Sequence, residues 1–425
     1  MAAESTNLTT MFQRKPDQDP IPEREGVKSG TCVTITPRKN PKTDPRKPNR
    51  PCARSGHAAV ADGNNLYIFG GYNPDLETLQ DYFGRNEELL LFPLFQEIWR
   101  YNFDTSMWKR MPTRGRMPMQ LASMSMLLFS DHILIYGGTG FPFGPTTSND
   151  IWYLNLKNKK WKALKASDGN TTQPVPGYGQ AIVIIDKHLY VYGGTTGWEY
   201  TSDVHRCDLT SGEWDRLFSL EELFTAKVRR NQTEPMPHIP KPRYRHEILT
   251  DRKRLYVIGG GTSTEAYPLD KIHAFNLETK EWELMVSLED PQHGYPENRR
   301  CHGCAQLGNE GYVTGGYSGK DIFDDIWRLE LATLQWTRLE ARLPQPVYFH
   351  SSAITPTGCL YCHGGVISPS GDERSDSLTR IWLKTPSLLT ICWERILSLI
   401  PDLHATPECE LLELGIPKHL LDRVA

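Results

Sequence analysis

At 425 residues, with 48 Lys and Arg against 51 Asp and Glu, the chain carries a net charge of −3, too little of either sign to select nucleic acid by bulk electrostatics. The N-terminus, MAAESTNLTTMFQRKPDQDP, lacks the apolar core of a secretory signal, and no uninterrupted apolar stretch reaches membrane-spanning length. Nine cysteines, an odd number, suit reduced thiols, so the expected location is cytoplasm and nucleus, away from membranes.

Residues 1–30 are polar and poor in apolar side chains, which predicts a disordered tail. Residues 31–36, TCVTIT, are rich in β-branched side chains and predict a strand. The connector 37–53 then sets Arg38, Lys39, Lys42, Arg46, Lys47 and Arg50 against one acid, Asp44. Such a tract is open to reading as a nuclear import signal or an RNA contact. Its lack of stacking aromatics favours a solvated Pro-rich connector.

From Arg54 to Lys384 one pattern recurs. An apolar strand closing on a double glycine ends at Gly71, Gly138, Gly194, Gly260, Gly316 and Gly365. A loop and a second strand follow, marked by Ile98-Trp99, Ile151-Trp152, Val204-His205, Ile272-His273, Ile326-Trp327 and Ile381-Trp382. In five repeats a further strand brings another tryptophan: Trp108, Trp161, Trp214, Trp282 and Trp336. The pattern resembles the kelch repeat, whose implied fold is an all-β propeller with four strands, a to d, in each blade. Six double glycines predict a six-bladed propeller over 31–384. The sixth repeat reaches Pro386 without its fourth strand, which leaves an open edge. Residues 31–36 are predicted to supply that strand, with Val33 in the place that Trp108 takes in blade one, so the N-terminus closes the ring.

The a–b and c–d turns are short, whereas the long segments 72–96, 139–149, 218–242 and 366–379 fall on the opposite side. Long loops on rigid blades mark that face for binding. The apolar run 89–95, LLLFPLF, is expected to pack on its blade. At the same rim stand Arg54-Ser55-Gly56-His57, Arg243-Tyr244-Arg245-His246 and Arg299-Arg300-Cys301-His302, while Met119, Gly177 and Val347 lie near the arginine position elsewhere. Guanidiniums gathered at one mouth repel unless an anion is expected, so Arg54, Arg243, Arg245, Arg299 and Arg300 are candidates to hold a carboxylate. Tyr72, Trp198, Tyr200, Tyr317, His246 and His302 are candidates for the pocket lining, although buried imidazoles commonly bond structural partners instead. The pairs Cys301/Cys304 and Cys359/Cys362 sit on strands, where residues three apart face opposite ways, so no metal site is expected. With no phosphate loop, nucleophile elbow or Asp-box, the chain reads as a non-catalytic protein without a cofactor.

Beyond Thr385, Pro386, Pro401, Pro407, Gly415 and Pro417 punctuate the chain into three short helices over 385–425, the first capped by Thr385. On that helix Leu388, Cys392 and Ile396 recur every four residues and share a face. Ser387-Leu388-x-x-x-Cys392-x-x-x-Ile396 resembles the BC box that docks elongin C, and Ile416-Pro417-x-x-Leu420-x-x-x-Val424 resembles the Cul2 box. With the repeats, these make the chain similar to the kelch-domain substrate receptors of cullin-2 RING ubiquitin ligases. The resemblance implies elongin C, elongin B, cullin-2 and a RING-box protein as partners. It assigns Ser387, Leu388, Cys392 and Ile396 to elongin C, and Ile416, Pro417, Leu420 and Val424 to cullin-2. It also implies that the bowl grips substrate C-termini ending in glycine or alanine and directs those proteins to ubiquitination and degradation. The chain departs from the family where carboxylate-gripping arginines would follow a double glycine, because Thr195 and Gly261 stand there. The rival expectation is a kelch scaffold for signalling or cytoskeletal proteins.

Overall fold

The computed structural model describes residues 30–39, 48–84, 93–119, 121–166, 172–229, 236, 238–400, 403 and 406–421. The remainder of the expected tail, the middle of the basic tract (40–47), positions 89–92 of the apolar run and Val424 lie outside the described residues. Leu94 and Phe95, at the end of that run, are buried.

Among the described residues the strands form six four-stranded sheets, each antiparallel and each one blade. Blade one shows the plan, with strands Ala58–Ala61, Asn65–Phe69, Ile98–Asn102 and Met107–Arg110 in chain order from the axis outward. Blade six instead combines Ser351–Ile354, Cys359–His363 and Leu378–Trp382 with Cys32–Ile35 as its outer strand. Cys32 pairs with Ile381 and Ile35 with Leu378, so the two ends of the propeller share one sheet.

The pairing differs from the expected register by one residue. In blade one Leu66 faces Tyr101 and Tyr101 faces Trp108; in blade six Leu360 faces Ile381 and Ile381 faces Cys32. Cys32, not Val33, therefore replaces the tryptophan. Strand alternation decides it, since that position must point into a seam, and Val33 is 43% exposed on the other face. By the same register Leu378-Thr379, rather than Ile381-Trp382, are the counterparts of Ile98-Trp99.

The core is divided among the seams between blades. Trp161 packs with Phe69 and Ile98 of blade one, Trp214 with Leu134 and Tyr136 of blade two, and Trp282 with Tyr192 and Val204 of blade three. Trp336 joins blade four and Trp108 joins blade six in the same way. The seam between blades five and six has Cys32 against Tyr312, Leu360 and Ile381. The double glycines make these seams possible. A Cβ on Gly193 would fall 2.6 Å from the His246 ring, and one on Gly259 would fall 2.8 Å from that of His302, each in the next blade. Both glycines also have φ near +60°, a region that side chains disfavour.

Helices are few and short: α1 (Leu76–Phe83) in the first long loop, α2 (Leu220–Arg229) between blades three and four, and α3 (Leu388–Leu399), α4 (Glu408–Glu413) and α5 (Lys418–Leu421) at the end. None is long and apolar enough to cross a membrane. Ser387, not Thr385, caps α3, its hydroxyl accepting from the Thr390 N–H. Trp393, Leu397, Leu403, Leu411, Ile416 and Leu421 build a small core for the last three helices.

Candidate functional site

Four consecutive residues at the start of every innermost strand have four separate roles. The carbonyl of the first accepts from the second glycine of the preceding blade, as in Gly365 to Arg54 and Gly194 to Arg243. By this bond the blade-two counterpart of Arg54 is Leu121, two residues beyond Met119. The second residue pairs with the one after its own double glycine: Ser55 with Tyr72, Tyr178 with Thr195, Arg300 with Tyr317, Tyr348 with Val366. The fourth is His57, Met124, Gln180, His246, His302 or His350, buried against the glycines of the neighbouring blade.

The third residues form a closed ring. Ser123 N–H donates to the Gly56 carbonyl, Gly179 to Ser123, Arg245 to Gly179, Cys301 to Arg245, Phe349 to Cys301 and Gly56 to Phe349, at 2.8–3.1 Å. All six residues are left-handed, with φ between 53° and 67°. A left-handed non-glycine residue costs about 1–2 kcal/mol, so Ser123, Arg245, Cys301 and Phe349 hold this shape only because the ring requires it. The ring is the floor of the bowl. Beneath it lies a central channel of about 400 Å³, lined by side chains such as Leu127, Val183, Glu247, Cys304 and Gln306. Burial pushes the Glu247 carboxyl up to about 8.

The five candidate arginines separate into two classes. Arg54 and Arg299 have no exposed surface and Arg243 almost none. Each donates to the carbonyl two residues back and to the carbonyl of the first glycine, Gly70, Gly259 or Gly315, at 2.8–3.1 Å. Each lies over a ring, Phe95, Tyr267 or Phe323, and Arg54 and Arg299 also pair with the carboxylates of Glu97 and Asp325. All three hold their blades together; every guanidinium nitrogen of Arg54 and Arg299 is bonded within its blade, and Arg243 is buried with its Nε and Nη1 bonded alike, which corrects their assignment to carboxylate binding. His246 and His302 are corrected likewise, being wedged in the seams against the glycines of the neighbouring blade and bordering the central channel beneath the floor, not the bowl above it; burial holds the His302 imidazole down at about 3.

Arg245 and Arg300 are held differently, without an acidic partner among the described residues, although Arg300 is itself only 7% exposed, and a third arginine joins them. The Arg245 guanidinium lies 4.5 Å over the Phe349 ring, bonded to the Ser123 hydroxyl and beside Gly56, so it spans the floor. Its Nε is buried without a partner. Arg300 stacks on Tyr317 and donates to the carbonyls of Thr262 and Glu265. Arg374, from the last long loop, lies over Tyr72 at 5.2 Å and bonds Ser55 Oγ and the carbonyls of Gly371 and Asp372. Burial lowers its pKa. Among the described residues no carboxylate forms an ion pair with any of the three. Aromatic rings complete the wall: Tyr317 stacks on Tyr348 at 5.0 Å, and Tyr200 meets Tyr244 at 5.4 Å. Tyr72 meets Phe143 at 4.9 Å. Trp198 stands away from this wall, 82% exposed at a loop tip.

The comparisons with known proteins agree with this architecture. The model of the KLHDC2/KLHL20/DRC7 Kelch-repeats domain matches residues 25–223 and 218–396. Kelch domain-containing protein 10 of Xenopus tropicalis is 46% identical over 374 residues, 88% of this chain and 86% of the relative. The chain belongs to this kelch-repeat family. The human protein of that name is 46% identical over 386 residues, 89% of this chain and 83% of its own. The Drosophila melanogaster homolog is 37% identical over 396 residues, 88% of this chain and 62% of its own.

This kelch protein carries its second candidate surface on α3, beyond the c–d turns and so on the side opposite the bowl. Leu388 is 75% exposed and Cys392, Leu389 and Leu399 are exposed beside it, while Ile396 is half-buried on the helical core. Of the residues assigned to cullin-2, Pro417 is exposed, Leu420 packs partly on the core and Ile416 is buried in it. Ile416 is thus a core residue, because the turn at Gly415 swings it back onto Leu411.

Proposed function

We propose that this chain is the substrate-binding subunit of a ubiquitin ligase, with a bowl for a protein's terminal carboxylate and a helix for elongin C. The observation that carries the bowl is three guanidiniums, Arg245, Arg300 and Arg374, set on aromatic rings with no carboxylate in ion-pair contact among the described residues. Such a site suits a compact anion with planar geometry, and a carboxylate meets guanidinium donors at two points. A small last residue, glycine or alanine, lets the carboxylate reach the floor. Supporting the partner reading is the exposed stripe Leu388, Leu389, Cys392 and Leu399 on a capped helix, since such apolar stripes usually mark a partner site. Elongin B, cullin-2 and a RING-box protein complete the assembly, and the chain itself acts by proximity rather than by chemistry.

Two measurements test it. Purified chain is expected to capture elongin B/C, and its bowl to bind peptides ending in glycine or alanine as free acids but not as C-terminal amides. Equal binding of acid and amide overturns the carboxylate reading. Binding of peptides without capture of elongin C leaves a kelch scaffold free of ubiquitin chemistry.

A further inference from the structure

Among the described residues, hydrogen bonds from three separate parts of the chain hold α3 to the propeller. The Trp393 indole donates to the carbonyl of Asp104, in the c–d turn of blade one, at 3.0 Å. Arg380, on the third strand of blade six, makes parallel bonds to both Glu394 oxygens at 2.6 and 2.7 Å. Arg38, just past the closing strand, donates to the carbonyl of Leu397. The backbone of Arg38 is itself fastened, its N–H bonding the Ser106 carbonyl at 2.8 Å in the same blade-one turn. These contacts meet the helix along its inner side, where Trp393 and Leu397 are buried, and leave Leu388 and Cys392 exposed.

We propose that residues 30–38 are a clamp that sets the angle of α3 against the propeller, with Arg38 and Glu394 as positioning residues. The strand that closes the ring thereby also aims the partner. This rests on the reading of α3 as the docking helix. A helix seated on a core of half a dozen side chains has little packing to fix its rotation. A bidentate guanidinium–carboxylate pair fixes direction as well as distance, and a charged donor on the Leu397 carbonyl fixes the far end. A substrate held in the bowl is then carried at a set distance from the partner. Loosening that tether lowers effective concentration without touching either binding face.

The test uses the full chain with Arg38→Ala, Glu394→Gln and both together, and Arg38→Lys as the conservative variant. The double variant is expected to speed amide exchange across α3 by about tenfold, with exchange in blades two to four unchanged. Elongin B/C capture should persist, while ubiquitin transfer to a protein with a glycine-ending C-terminus drops several-fold. Arg38→Lys should recover part of that loss. Unchanged α3 exchange in the double variant overturns the clamp, as does undiminished transfer once exchange has risen. If the unaltered chain captures no elongin C, the docking reading falls, and the exchange measurement alone decides the clamp.

Discussion

Arginines of one motif have opposite consequences when removed. Arg299→Ala leaves the buried Asp325 carboxylate without its cation and, among the described residues, with only the Trp327 indole N–H as side-chain partner. Breaking a buried pair on one side costs roughly 3–5 kcal/mol, so thermal unfolding should shift sharply downward. Arg374→Ala and Arg300→Ala instead remove donors of the proposed carboxylate site. Each charge-assisted bond lost is worth ~1.5–3 kcal/mol, so calorimetry with a glycine-ending peptide should show about ten- to a hundredfold weaker binding at near-unchanged melting temperature. A residue-by-residue reading of the sequence grouped Arg54, Arg243 and Arg299, which the blades bury, with Arg245 and Arg300. The tetrapeptide explains why: its first residue faces the blade interior and its third faces the axis, a distinction of backbone conformation rather than composition. Tyr178, Tyr244, Tyr348 and Phe349 occupy second and third positions of the same tetrapeptide, so alignment of the six would have found them. Arg374 sits in a loop with no repeat to align, and nothing periodic announced it.

Among elements, the closing strand and α3 were legible because each answers a deficit. One repeat lacked a strand, and one helix had more apolar faces than a short segment buries. Register was less legible, since TCVTIT alternates equally well in either frame; only the seam's need for an inward side chain selects Cys32. Removing residues 1–36 should therefore lower the melting temperature and promote aggregation through the bared edge Leu378–Trp382, whereas removing 1–29 leaves the strand in place and should change little. Trp336→Ala empties a filled seam and should cost roughly 3–5 kcal/mol in chemical denaturation. On α3, Leu388→Ala with Cys392→Phe should abolish elongin C capture while thermal unfolding of the propeller is unaltered.

For the whole molecule, acid is the general threat. His57, His205, His246, His302, His350 and His363 are buried, and burial depresses each imidazole, His350 to about 4 and His302 and His363 to about 3. The unfolded chain takes up protons near 6.5 that the folded chain refuses, so this stability is complete above pH 6.5 and is lost as pH falls toward 4. Each proton of difference changes stability by ~1.4 kcal/mol per pH unit. Glu247 runs the other way, its raised pKa favouring the folded state most below pH 4.5, but one carboxyl is outnumbered by six imidazoles. Melting temperature is expected to fall steeply between pH 6.5 and 4.5; a flat profile there would show that the seam histidines are already charged.

The ring of six peptide groups at the floor of the bowl also counts. Every donor points the same way round, and the last bond, Gly56 to Phe349, joins residues from the first and sixth blades. A linear solenoid tolerates the gain or loss of a repeat at its end, because each unit meets only its neighbours. A cycle has no end. Adding or removing a blade would require every bond of the ring to re-form at a new diameter, so blade number is set by the whole circuit at once rather than at one end. The long loops lie outside that circuit, and Arg374 stands in one of them, bonded to Ser55 and to its own loop rather than to the ring. The same closed circuit that fixes the blade number thus leaves loop length and loop chemistry unconstrained by it.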